Sequence, residues 1–387
     1  MKKIGSNIKE MTIQWKAWTS KMTTARNITR TALCLVLLCV FLVSLIGCAP
    51  AVVPNEDGHL RVHYLDVGQS DCALAEFSRD FTMLIDTSDA EHASDVCDYV
   101  KALGYTEIDV IVISHAHADH IGGASSIIEE FEVGMIYIPE IDYTTPEYEQ
   151  MISSAEQKNV RISNAELGVE FDLGAAKCSF LSPSGKVYED ENDGSAVLRI
   201  VYGERAFLFM GDCGIEAEED IIEASSDVSA DVVKVGHHGS NGSSGSDFVR
   251  ATGAEYAIIS CSADNEYGHP SPYAVDRWQS IGACVFATDE HSTVIASTDG
   301  ETLLVAAATD REFWETAEYG GEKVPQTEKY AEKDTVMWIL NTESHIIHKC
   351  TCPYALKMNE KVREESAADI DLLEAEGFGR CKHCFSE

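Results

Sequence analysis

The sequence predicts a mixed α/β (α+β) body in which two β-sheets pack face to face with helices outside both. Two observations point to it. Short apolar and β-branched runs, the mark of buried strands, fall into two series, each following the order strands, helix, strand, helix. Every polar group able to hold a metal stands directly after one of those runs: Asp86, the cluster His115 to His120, Asp212, His237, His238 and His269. With 387 residues, 45% of them apolar, the chain can bury a large core and still carry appendages.

Residues 1–48 are set apart by charge. Positions 1–30 hold seven lysines and arginines against Glu10, a local net of +6; the whole chain is −36, so the remainder sums to −42. So acidic a body repels polyanions on average, which argues against general nucleic-acid binding. Residues 31–47 carry no charge, a run short for a spanning helix and suited to the apolar part of an export signal. The run ends in Leu45-Ile46-Gly47-Cys48, which resembles the lipobox of bacterial lipoproteins and implies lipid on Cys48. An uncleaved anchor helix is the competing reading. Both attach the body to the membrane and place it outside the cytoplasm.

Residues 49–58, with Pro50, Pro54 and Gly58, read as a tether to the body at 59–308. Strands are expected over 60–67, 72–77 and 81–87, joined by the turns Gly68-Gln69-Ser70-Asp71 and Ser78-Arg79-Asp80. A helix over 94–103 keeps Val96, Tyr99, Val100 and Leu103 on one face. A β-branched strand over 108–113 follows, then helices over 121–131 and 146–158 around a strand at 135–139. The second series has strands at 169–173, 176–181, 196–202 and 206–210, a helix at 215–224, and strands at 231–235 and 256–260 with a helix between them. A helix at 272–281 and closing strands to 308 complete it. Cys72, Cys97, Cys178, Cys213, Cys261 and Cys284 are scattered through apolar segments, the spacing of buried thiols and not of a disulfide framework.

The strand at 108–113 delivers His115, His117, Asp119 and His120 onto one six-residue turn. Imidazole nitrogen and carboxylate oxygen are the ligands of a catalytic zinc that keeps a position open for water. Neither a solvated loop nor a core gains from His-x-His-x-Asp-His directly after a buried strand.

Together these residues resemble the metallo-β-lactamase superfamily, and within it the branch related to the C-terminal domain of ComEC-type competence proteins. The matching stretches are Leu65-Asp66-Val67-Gly68-Gln69, Leu84-Ile85-Asp86-Thr87, His115-x-His117-x-Asp119-His120-x-Gly122-Gly123, Gly211-Asp212, Lys234-Val235-Gly236-His237-His238-Gly239-Ser240 and Tyr267-Gly268-His269-Pro270, with Thr288-Asp289 and Thr298-Asp299-Gly300 near the end. The resemblance implies a four-layer αββα fold and a site for two divalent metals, zinc or manganese. One departure stands out: no histidine occurs between His120 and His237, where the superfamily usually places a ligand of the first metal. The segment Asn192-Asp193-Gly194-Ser195 resembles what the competence branch has there.

On this reading His115 and His117 face one metal, Asp119 and His120 reach a second, and Asp212 bridges them. A metal-activated water is then the nucleophile. Either His237 or His238 completes the second metal, leaving the other to orient substrate or protonate the leaving group; His269 is a further candidate for that acid. Asp86 is expected to fix a ligand tautomer from behind, direct metal contact being the alternative, with Asp66, Asn192 and Ser195 as further supports.

Residues 309–335 read as an acidic linker, followed by a strand at 336–340 in a tail over 336–387. His348-x-x-x-Cys352 and, 29 residues on, Cys381-x-x-Cys384 have the layout of a structural zinc site and resemble the small metal-binding domain of Ada-type repair proteins. His345 and Cys350 compete as ligands, and a disulfide between the pairs is the alternative.

The function expected is metal-dependent hydrolysis of phosphodiester or related ester bonds. Extracellular DNA is the substrate implied by the competence resemblance, and a teichoic-acid or choline-phosphate ester is the one compatible with the acidic surface. No obligate protein partner is evident. A metal-binding surface scaffold without catalysis and a lactam hydrolase are the alternatives.

Overall fold

A computed structural model describes residues 55, 58–140, 144–224, 226–310 and 313, and in the tail 338–341, 345–349, 363–366 and 379–380. Cys48, the run at 31–47, and Cys350, Cys352, Cys381 and Cys384 lie outside the described residues, and of His348 only the backbone strand is described. No helix among the described residues is long and apolar enough to cross a membrane.

Among the described residues, fifteen strands of the body make two sheets. The first sheet is built from β1 (Leu60–Tyr64), β2 (Ala73–Phe77), β3 (Phe81–Ile85), β4 (Glu107–Val112), β5 (Glu132–Ile138), β6 (Arg161–Asn164), β14 (Val294–Thr298) and β15 (Leu303–Ala307). Its order is β15-β14-β1-β2-β3-β4-β5-β6, with β3 to β6 parallel. The second is built from β7 (Glu170–Leu173), β8 (Ala176–Ser182), β9 (Val197–Tyr202), β10 (Arg205–Phe209), β11 (Val232–Lys234), β12 (Tyr256–Ile259) and β13 (Cys284–Ala287). There the order is β13-β12-β11-β10-β9-β8-β7, with β10 to β13 parallel.

Alternation along the strands divides their side chains between two faces. The inner faces meet in a core that includes Val62, Met83, Phe180, Leu198, Phe207 and Ile258. Beyond the first sheet, Leu74, Leu84 and Ile111 pack against the helices α1 (Ala93–Ala102), α2 (Ala118–Ile121), α3 (Ala124–Glu130) and α4 (Pro146–Lys158). Beyond the second, Leu208, Val233 and Ile259 pack against α5 (Ile215–Glu223), α6 (Ser246–Thr252) and α7 (Pro272–Ser280). A short α8 (Thr288–His291) leads into β14. The layers therefore run helix, sheet, sheet, helix, as the sequence predicts.

Three local departures from the expected elements stand out, two of them with a physical cause. The expected helix at 121–131 is broken: a Cβ at Gly122 would stand 2.3 Å from the Ala118 carbonyl, and one at Gly123 2.1 Å from that of Thr87, so α2 and α3 are separate turns packed hard on the β3 end. β6 was not expected, because Arg161-Ile162-Ser163-Asn164 is an edge strand without a buried residue. In the tail, β16 (Trp338–Asn341), β17 (Ile346–Lys349), β18 (Arg363–Ser366) and β19 (Gly379–Arg380) form a small sheet in the order β18-β16-β17-β19.

Candidate metal centre

The carboxyl ends of β3, β4, β10, β11 and β12 bring the candidate ligands together. At this rim the two sheets nearly touch: Gly211 has φ +52, and a Cβ there would lie 2.6 Å from that of Ser114 and 3.0 Å from that of Ser195. Asp212 follows directly. The turn Gly236–Gly239 after β11 holds two consecutive non-glycine residues, His237 (φ 51) and His238 (φ 52), in the left-handed region, a costly conformation that accumulates at functional sites. The turn sends the two imidazoles different ways, so that His238 is buried while His237 stays partly exposed.

Four groups form one closed set: ligand atoms of Asp119, His120, Asp212 and His238 all lie within 4.8 Å of one another. Asp212 Oδ1 is 3.2 Å from His120 Nε2 and 3.7 Å from His238 Nε2, and Asp119 Oδ2 is 3.3 Å from His238 Nε2 and 3.8 Å from His120 Nε2. Yet His120 Nε2, His238 Nε2 and Asp212 Oδ1 are buried without an aligned hydrogen bond. Unsatisfied atoms of that kind are expensive. Imidazoles and carboxylates converging in this way are the donor set of a divalent cation, which the residues fit.

Electrostatics agrees. Burial alone would raise Asp212, but His120 and His238 outweigh it and hold the carboxyl well below its usual range. Burial alone would lower the two imidazoles; Asp212 with Asp86 pulls His120 well above its usual value, and Asp212 with Asp71 brings His238 to about 10. These carboxylates therefore demand positive charge. His115, by contrast, is held well below its usual value by burial and by His120, leaving a neutral ring suited to a metal.

His115 Nε2 and His117 Nδ1 lie 3.0 Å apart, close enough for both to reach one ion. Among the described residues no third imidazole or carboxylate completes a set with that pair at the same reach. Ser195, in the segment that stands where the superfamily histidine is missing, has Oγ 3.4 Å from His115 Nδ1, donates to the Asn192 carbonyl and accepts from the Asp212 N–H. It braces Asp212 and caps a turn. Asn192 contributes its carbonyl to that turn.

Asp86 sits behind the ligands. Its Oδ1 accepts from the Ser114 N–H, and its Oδ2 accepts from the Ser114 hydroxyl and lies 2.9 Å from His120 Nδ1, fixing that ring. Asp66 does not join the site. Leu65 and Val67 on either side are buried in the helix-side core, which leaves Asp66 exposed beyond the end of β1. The carboxylate that does reach the cluster is Asp71, treated in the sequence as a turn residue: Oδ1 is 3.4 Å from His238 Nδ1 and Oδ2 is 2.7 Å from Lys234 Nζ. Burial pushes Asp71 up, but Lys234, then His238 and His120, bring it far down.

On the other flank, His237 Nε2 is 3.9 Å from Asp212 Oδ2, and the His269 ring lies 5.7 Å from that of His237. Burial, with His237 and His238, pushes His269 down to about 4, so at neutral pH it is an uncharged ring and no store of an acidic proton. Next to His117, whose Nε2 is 3.8 Å from Glu191 Oε2, opens a cavity of about 510 Å³ lined in part by Glu140, Glu166, Asp190, Glu191, Lys186 and Tyr188. The Lys186 ammonium is already matched by Asp220 at 2.6 Å and Glu216 at 2.9 Å, so the lining is acidic on balance.

The model of the metallo-beta-lactamase superfamily matches residues 65–263, just over half of the chain. The chain belongs to that superfamily. Its metallo-β-lactamase domain is 30% identical over 196 residues to ComE operon protein 3 of Bacillus subtilis, covering 51% of this chain and 25% of that protein. It is 31% identical over 242 residues to competence protein ComA of Neisseria gonorrhoeae, covering 62% of this chain and 32% of that one. The chain thus spans about a quarter to a third of the length of these relatives. Among solved structures, the metallo-beta-lactamase fold protein YhfI of Bacillus subtilis matches with TM-score 0.45 and 15% identity, covering 62% of this chain and all of that one. Proteins of this fold typically bind two metals; among the described residues the ligand atoms of Asp119, His120, Asp212 and His238 form one group close enough to share an ion, and those of Asp71, Asp86 and His120 form another.

Proposed function

We propose that the chain is a metal-dependent hydrolase of phosphodiester or related ester bonds, acting outside the cytoplasmic membrane to which residues 1–48 attach it. The observation that carries the proposal is the buried set of His120 Nε2, His238 Nε2 and Asp212 Oδ1, three polar atoms that converge without hydrogen-bonding one another. Divalent cations held by these residues would supply the lowering of a water's pKa toward neutrality and the charge that offsets the reacting oxygens. The protein's own groups do the rest. Asp86 and Ser114 hold His120, the Ser260 carbonyl at 3.0 Å holds His238 Nδ1, and Ser195 holds the Asp212 backbone. His237, partly exposed beside Asp212, is placed to hand a proton to the leaving oxygen.

DNA is the substrate class suggested by the names of the competence relatives, and the acidic cavity beside His117 supports a small or cell-wall ester instead. The tail, with His348, Cys352, Cys381 and Cys384, is proposed as a separate structural zinc module. A metal-binding scaffold is the second reading, favoured by the His115–His117 pair, which among the described residues joins no third imidazole or carboxylate at the same reach.

The full-length chain, loaded with zinc or manganese, should turn over bis-p-nitrophenyl phosphate, lose that activity to a chelator, recover it on metal return, and leave nitrocefin intact. Phosphorylcholine esters and DNA assayed alongside separate the substrate classes. Firm metal binding with no turnover of any phosphoester would favour the scaffold.

A further inference from the structure

Five large hydrophobic side chains are exposed among the described residues, three of them at 37–38%; Tyr267 at 67% and Val187 at 93% stand well apart. Both flank the metal centre. Val187 lines the cavity beside His117, and Tyr267 stands on the loop that reaches His237.

That loop is built to present the tyrosine. Asn265 Nδ2 donates to the carbonyls of Ser262 and His269, and its Oδ1 accepts from the His269 N–H, so a single side chain closes the loop. The Ser271 N–H donates to the Gly239 carbonyl at 2.8 Å, and a Cβ on Gly239 would stand 2.9 Å from that of Pro270, which locks the loop onto the His237–His238 turn. Gly268 (φ +71) has nothing within 4 Å of a Cβ position, leaving open space beside the tyrosine. The Tyr267 ring lies 5.8 Å from that of His269 at 28°, an offset stack, and His269 in turn meets His237 edge-on at 5.7 Å. The row of rings thus leads from solvent to Asp212.

Resting on the phosphoester reading of the metal centre, we propose that Tyr267, backed by His269, is a stacking shelf for a planar ring on one arm of the substrate, the class that includes aryl and nucleobase groups. An aromatic face held rigidly outward accepts a flat ring of any identity without hydrogen-bond readout. An exposed tyrosine is common on protein surfaces; this one differs in being preorganised and in line with the candidate ligands.

Calorimetric titration of phenyl phosphate and methyl phosphate into the zinc-loaded full-length chain tests the shelf apart from catalysis. The wild-type chain is expected to prefer the ring-bearing ester by about fivefold to a hundredfold, the range of one base–aromatic stack. Tyr267→Ala should abolish that preference while zinc content and methyl phosphate affinity stay unchanged, and Tyr267→Phe should retain it. An equal preference in wild type and Tyr267→Ala, or none in wild type, overturns the shelf. Failure of bis-p-nitrophenyl phosphate turnover would count against the hydrolase reading and leave this preference measurable. Binding of neither phosphate would overturn both.

Discussion

Asp212→Ala is expected to lower diester turnover by about a thousandfold or more while the fold persists. The loss corresponds to the several kcal/mol of charge stabilisation that a metal site supplies. Asp212 lies within 3.2 Å of His120 and 3.7 Å of His238, and its Oδ2 faces His237, so one substitution removes the carboxylate on which both flanks converge. The four-layer core does not depend on it, for Asp212 stands beyond the β10 end, and circular dichroism should be unchanged. The near-isosteric Asp212→Asn should lose almost as much, since the amide keeps the shape but not the charge. Turnover within tenfold of wild type in either variant would remove Asp212 from the mechanism.

The second large effect concerns stability. Lys234 and Asp71 are both almost fully buried and paired at 2.7 Å, and the ammonium also donates to the Val235 carbonyl at 3.0 Å. Removing one partner strands a charge in the interior, which costs about 3–5 kcal/mol. Lys234→Met should therefore lower the unfolding free energy by about that amount, toward the lower end because His238 Nδ1 also faces Asp71 at 3.4 Å. Replacing both partners, as in Lys234→Met with Asp71→Leu, should recover most of the loss, because neither member of the pair is left alone and His238 keeps Asp119 and Asp212. Urea denaturation of the three proteins measures this. A Lys234→Met protein as stable as wild type would mean that water reaches Asp71.

How much of this was legible in the sequence follows from what each feature depends on. The candidates on the His115 to His120 turn, together with Asp212, were legible because they follow strands in chain order; the structure brings Asp119, His120 and Asp212 together with His238 and leaves His115 and His117 as a pair. The helix and strand series was legible for the same reason, with periodicity written directly into the residues. Asp71 and Lys234 were not, since their pairing depends on the start of β2 and the end of β11 lying side by side in different sheets, a neighbourhood no spacing records. The exchange of Asp66 for Asp71 has a similar cause: both precede or sit in the same turn, and only the burial of Leu65 and Val67 decides which carboxylate faces inward. His237 and His238 were indistinguishable by type, and the left-handed backbone of their turn separates them. The split at Gly122 and Gly123 was visible as glycines, but the close approach to Thr87 that demands them was not.

Asp119, His120, Asp212 and His238 are proposed to share a divalent metal. Folded-state values above 6.5 at His120 and His238 mean that these rings carry protons at pH 7, which a cation must displace, so binding should weaken as pH falls. Zinc titrated calorimetrically into the full-length chain at pH 7, in two buffers of different ionisation heat, tests this most directly. The expected result is tight zinc binding with proton release that is kept in His237→Ala and lost for one equivalent in His238→Ala. Tight binding unaffected by His238→Ala, or uptake of zinc without release of protons, would contradict it.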